Sequence, residues 1–191
     1  MKKMDEIRKS LNAFAEQSDE DWNFFRSRLC SKTYPKTSII LKKGQVENYI
    51  SYVETGILRL YIPKIENDIT FGFIFPGEFV SAYDSFLTQT PCQYQVQSLT
   101  NAKLWRIARE DLHHIYAHTK IGNEIGRKNA ERLFLIKSKR ELSLLNKTAE
   151  ERYLDLFSER PELIQQIPLK YIASYIGVTP QALSRIRKRI S

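Results

Sequence analysis

Arg185, Arg187, Lys188 and Arg189 stand almost side by side near the C-terminal end of the chain, and no acidic residue follows Lys170. Guanidinium groups present paired N–H donors that match phosphate oxygens or a guanine edge, and an ammonium adds a point charge, so the chemistry of this cluster is polyanion recognition. Thr179, Gln181 and Ser184 supply neutral hydrogen-bonding groups just ahead of it. Other reactive residue types assemble nothing comparable. His114 and His118 have the i, i+4 spacing that grips a metal from one helix face, but no third ligand stands near them apart from the adjacent His113, so solvated or helix-capping histidines are expected. Glu66 and Asp68 flank Asn67 between strand-like runs and read as a polar turn. Ser81, Ser85 and Ser98 have no elbow sequence or histidine to activate them, and no phosphate-cradling glycine loop is present. No histidine precedes residue 113, which argues against a metal-dependent enzyme built on strands. The expectation is a non-enzyme with no metal and no cofactor.

The cations need an element to carry them. Residues 169–190, LKYIASYIGVTPQALSRIRKRI, read as two helices joined by a tight turn. Ala173 lies where the helices cross and needs a small side chain; Gly177 suits a left-handed turn; Ile172, Ile176, Val178, Leu183 and Ile186 fill the apolar positions. Thr179 caps the second helix and Pro180 fits its first turn. An ordinary amphipathic hairpin with a solvated basic face has the same apolar spacing; the basic tail favours a helix-turn-helix that binds DNA.

Upstream the period changes twice. Two short helices open the chain within residues 5–30, with Ile7, Leu11 and Phe14, then Trp22, Phe25 and Leu29, at helical spacing. From about Tyr34 to Ile107 short strands rich in aromatic and β-branched residues alternate with glycine turns at Gly44, Gly56, Gly72 and Gly77, which suggests a compact antiparallel roll. One long helix is expected from Asp111 through Lys139, with Ile121, Ile125, Leu133 and Ile136 on a loose apolar stripe that either packs inside the monomer or forms a seam for a second copy. The fold class is therefore α+β. Residues 1–110 are expected to hold the helices and roll, 111–140 the long helix, and 141–191 the helical C-terminal domain.

With 30 Lys and Arg against 22 Asp and Glu in 191 residues, the chain carries a formal charge of +8. That balance serves a nucleic acid or a membrane surface equally, but its concentration at one end favours the former. The opening MKKMDEIRKS is charged and no apolar run approaches a signal or membrane-spanning length, so the expected location is the cytoplasm, without a membrane partner. Cys30 and Cys92 have neither CxxC nor Cys/His spacing, and two cysteines cannot hold a four-cysteine iron–sulfur cluster.

Gly44, the segment Tyr49–Tyr61 with Gly56 inside it, Phe75-Pro76-Gly77-Glu78-Phe79, and IASYIGVTPQALSRIRK at 172–188 occur in an order that resembles the Crp/Fnr family of bacterial transcription regulators. The resemblance spans nearly the whole chain. It implies a cyclic-nucleotide-binding-like jelly roll as sensory domain and a homodimer joined along the long helix through Ile121, Ile125, Leu133 and Ile136. Two recognition helices would then meet a palindromic site on double-stranded DNA, with RNA polymerase and an unidentified small-molecule effector as further candidate partners. Gln181, Ser184 and Arg185 would read bases, while Thr179, Arg187, Lys188 and Arg189 would hold phosphates. Gly77 and Glu78 match the start of the family's phosphate-binding cassette, but its arginine is missing: none occurs between Glu78 and Arg106. Cyclic nucleotides are therefore not the expected effector. The competing expectation is a signalling module that binds a cyclic nucleotide or a partner protein and does not touch DNA.

Overall fold

The computed structural model describes residues 2–119 and 121–190. Its elements follow as α1 (Lys2–Asn12), α2 (Asp19–Arg26), β1 (Cys30–Tyr34), β2 (Ile39–Leu41), β3 (Tyr49–Thr55), β4 (Leu58–Ile62), β5 (Ile69–Ile74), β6 (Phe79–Val80), α3 (Tyr83–Thr88), β7 (Gln95–Ser98), β8 (Ala102–Ala108), α4 (Arg109–His118), α5 (Gly122–Asn146), α6 (Ala149–Glu159), α7 (Pro161–Gln166), α8 (Leu169–Tyr175) and α9 (Pro180–Ile190). The architecture is the expected antiparallel jelly roll followed by a long helix and further helices. They group into two compact units, one of residues up to Leu60 with Phe73–Arg132, the other of Tyr61–Gly72 with the chain from Leu133 onward.

The roll is made of two four-stranded sheets, ordered β1-β8-β3-β6 and β2-β7-β4-β5. Alternation along β3 and β8 shows why these strands are apolar on both sides. Val53 and Leu104 are buried on one face; Tyr52 and Ile107, of opposite parity, join Ile7, Leu11, Trp22, Phe25, Leu112 and Ile115 in a core built with α1, α2 and α4. The pairing of β3 with β8 shifts register between Val53 and Thr55. Gly56 follows at φ +91°, and a Cβ there would lie 2.5 Å from the Asn101 carbonyl oxygen, so only glycine fits this corner.

The expected single helix from Asp111 to Lys139 is corrected to two. Thr119 has extended backbone, and its hydroxyl donates to the Ile115 carbonyl (2.8 Å) while accepting from the Gly122 N–H (3.1 Å), closing α4 and opening α5. Gly122 is required by the closeness of the two ends, since a Cβ on it would lie 2.7 Å from the Thr119 hydroxyl. The second helix then runs beyond Lys139 to Asn146. It is followed by a capping box, Thr148 with Glu151, that starts α6.

Candidate nucleic-acid interface

The second unit is built so that α9 turns one face inward and one outward. Ile172, Ala173, Ile176, Leu183 and Ile186 are buried and Val178 is half-buried, which together are the apolar set expected for two crossing helices. Gly177 adopts φ +81°, and the Val178 N–H reaches the Ala173 carbonyl (2.9 Å), so the turn satisfies the end of α8. The Thr179 hydroxyl accepts from the Ala182 N–H (3.2 Å) and caps α9, with Pro180 its first residue. Two arginines missed by the sequence reading brace this turn. Arg140 donates to the Tyr175 carbonyl (2.9 Å) and stacks over the Tyr175 ring, and Arg152 donates to the carbonyls of Ile176 (2.8 Å) and Lys147. Nothing in local sequence marks them, because their acceptors are backbone oxygens distant along the chain. Ser174, on α8, accepts from the Thr70 N–H (2.8 Å) and donates to the Asp68 carbonyl (2.6 Å) of the β4–β5 connection.

With Leu183 and Ile186 inside, the outward stripe of α9 is Gln181, Ser184, Arg185 and Lys188, related as i, i+3, i+4 and i+7 and all exposed. Arg187 is exposed on one flank of that stripe. Arg189, on the other, is ion-paired with Glu150 of α6. Lys188 thus joins the three residues expected to read bases, whereas Arg189 is partly neutralised before any ligand arrives.

Gly77 and Glu78 lie in the turn between β5 and β6. Gly77 takes φ +93°, and one Glu78 carboxylate oxygen accepts the Phe75 N–H at 2.7 Å, so this side chain already serves its own turn. Cys92 is buried, and its thiol is directed to the Tyr94 carbonyl. A different carboxylate is sequestered in the roll: Glu47 accepts the N–H groups of Tyr49 (2.9 Å) and Ala82 (3.5 Å). Burial outweighs those hydrogen bonds and nearby Arg106 and raises its pKa above the ordinary carboxylate value. A raised folded-state pKa means that the folded chain holds the proton more tightly than the unfolded one. This contribution to stability is complete below the ordinary value of 4.5 and is lost as pH rises through the higher folded value. Glu47→Gln keeps a side-chain acceptor and removes the titration, so its urea midpoint should fall less steeply than that of the native chain as pH rises from 4.5; parallel curves would contradict this.

The four residues of the stripe expected on the long helix differ in their exposure. Ile121 and Ile125 are half-buried within the first unit, Ile125 packing against its core, and Leu133 is half-buried. Of the four, Ile136 alone is exposed, at 51%. The apolar residues that α5 leaves open are chiefly Phe134 (70%), Leu135 (66%), Leu142 (54%) and Leu145 (73%). The seven-residue interval from Leu135 to Leu142 was the available signal.

His114 and His118 stack on each other, and the His118 Nδ1 lies 2.9 Å from the His114 carbonyl, a contact that belongs to the end of α4. Among the described residues no group of three or more His, Cys, Asp or Glu side chains could hold a metal ion, and no helix is long and apolar enough to cross a membrane.

Residues 31–119 match the family model of the cyclic nucleotide-binding domain. This part of the chain is such a domain. The cyclic nucleotide-binding domain and the helices after it share their fold with Crp/Fnr-family regulators, as the motif resemblance led one to expect. A CooA mutant from Carboxydothermus hydrogenoformans superposes with a TM-score of 0.70 at 13% identity, covering 94% of this chain and 81% of the other. The c-di-GMP-responsive global regulator CLP of Xanthomonas campestris gives 0.69 at 18% identity, with 91% of each chain covered. The catabolite activator protein of Thermus thermophilus gives 0.59 at 20% identity, covering 95% and 86%. No curated protein matches the chain by sequence.

Proposed function

We propose that this chain is a sequence-specific DNA-binding transcription regulator, acting as a homodimer on a two-fold symmetric operator. In this reading α8 and α9 are a helix-turn-helix, residues 1–110 are the sensory domain, 111–140 the dimerisation region and 141–191 the DNA-binding domain. One observation carries it: α9 combines a buried Leu183/Ile186 face with an exposed Gln181, Ser184, Arg185 and Lys188 stripe on a capped, braced helix free of acidic residues. Such a stripe fits the major groove, with Gln181, Ser184 and Arg185 at base edges and Lys188 reaching either bases or phosphates. Thr179 and Arg187 flank it as phosphate contacts, and Arg189 joins them if its pair with Glu150 opens. Selection of bound sequences from random duplexes by the purified chain tests the proposal. A palindromic consensus supports it, and enrichment of no sequence would leave the signalling module that does not bind DNA.

Cyclic AMP and cyclic GMP are not the effectors in this reading. A buried phosphate needs a charge-assisted donor pair, yet no arginine occurs from Phe79 through Trp105, and Glu78 is engaged in its turn. Calorimetric titration with either nucleotide should give no micromolar site. Tight binding that disappears in Glu78→Ala would overturn this.

A further inference from the structure

The first unit contains a cavity of about 60 Å³ on the outer face of the β1-β8-β3-β6 sheet, where α1, α2, α4 and the start of α5 close over it. Leu11, Phe25, Ile50, Ile107, Ile115 and Ile125 supply its walls, and no charged side chain among the described residues lines it. It exceeds the roughly 10–15 Å³ that one water needs and falls short of the roughly 150 Å³ of a cavity that encloses benzene; being open on one side, it admits a ligand that protrudes. Polar groups gather on one part of the wall. A Cβ at Gly126 would lie 2.9 Å from the Tyr116 hydroxyl, and Asn129 follows three residues later on the same face of α5. Neither the Tyr116 hydroxyl nor the Asn129 amide has a hydrogen-bond partner among the described residues. Burial pushes the Tyr116 pKa up to about 12, so the hydroxyl is a donor at neutral pH.

We propose that this cavity is a binding site for a small uncharged amphiphile, with a short alkyl chain on the apolar walls and a hydroxyl or carbonyl group turned to Tyr116 and Asn129. The walls reward methylene burial, Tyr116 and Asn129 fix the head, and an anion such as a cyclic nucleotide would lose its hydration with no cation among the described lining residues to replace it. The site lies outside the roll interior and does not depend on whether the chain binds DNA.

Titration of the full chain with butanol, pentanol, hexanol and hexanoate at neutral pH, followed by methyl chemical shifts of Ile115 and Ile125, tests the site without DNA. Saturable shifts are expected, with affinity rising by up to about fourfold per methylene while the cavity fills, and hexanoate at least about tenfold weaker than hexanol. Filling the space with Ile50→Phe should abolish saturation while the melting transition persists. Tyr116→Phe leaves the packing in place and should weaken hexanol several-fold, which keeps the test decisive should the filling variant unfold. Shifts that grow linearly without saturation, that are equal for hexanoate, or that are indifferent to Tyr116→Phe would each overturn the site.

Discussion

Arg185→Ala is expected to weaken binding to the selected operator by about 1–3 kcal/mol per half-site, on the order of 5- to 150-fold, and to relax the preference at one base pair of each half-site. Arg185 is exposed at the centre of the outward stripe of α9, on the face opposite Leu183 and Ile186. A guanidinium there can donate two hydrogen bonds to the O6 and N7 of guanine, and alanine leaves that edge without a partner. Arg187→Ala is expected to act otherwise, weakening all sequences alike and flattening the salt dependence by about one phosphate contact. Arg189→Ala should cost less than a full phosphate contact, because its guanidinium already faces Glu150 and brings less net charge to the DNA. Competition between specific and scrambled duplexes separates these cases, and an equal loss on both for Arg185→Ala would remove it from the base-reading set.

Legibility in the sequence followed how local the determinants were. The α8–α9 pair could be read residue by residue because a small residue at Ala173, a left-handed turn at Gly177, a cap at Thr179 and inward apolar positions at Leu183 and Ile186 are each imposed by neighbours a few residues away. The roll was legible in outline, since β-branched and aromatic runs between glycine turns are an unmistakable period. The break at Thr119 was not: it depends on one hydroxyl serving two helix ends and on the missing side chain of Gly122. The faces of α5 were hard to read for a related reason. This helix carries Ile125, Leu133, Phe134, Leu135, Ile136, Leu142, Leu144 and Leu145 on several sides, so periodicity selects no single stripe. Its first turns pack into one compact unit and its later turns belong to the other, and no average over the whole helix can separate those two tasks. Glu78 matched a ligand group from its place after Gly77, and the bond it accepts from the Phe75 N–H, which gives it a part in its own turn, has no signal in the sequence.

Replacing Leu135 and Leu142 together by glutamate is expected to convert a dimer into monomers and to lower operator affinity by on the order of 10²- to 10⁴-fold. Both side chains are largely exposed on α5 one heptad apart, with Phe134 and Leu145 beside them, and a second copy of the same helix is self-complementary to such a face. Each leucine buried across such a seam would stabilise the pair by about 1.5–3 kcal/mol, and a two-fold arrangement would count every residue twice. Glutamate removes the apolar area and sets like charges together across the axis. Monomers then engage one half-site at a time and lose the high effective concentration of the second recognition helix, even though α9 itself is untouched. Ile125→Glu is the informative contrast: that side chain packs against the core of the first unit, so its replacement should destabilise the fold of each protomer, whereas the Leu135/Leu142 pair should lose only the concentration-dependent stabilisation that dimerisation confers. Sedimentation and operator titration of both variants decide the matter. A native chain already monomeric at micromolar concentration with and without DNA, or a Leu135/Leu142 double variant that stays dimeric, would exclude this face as the seam.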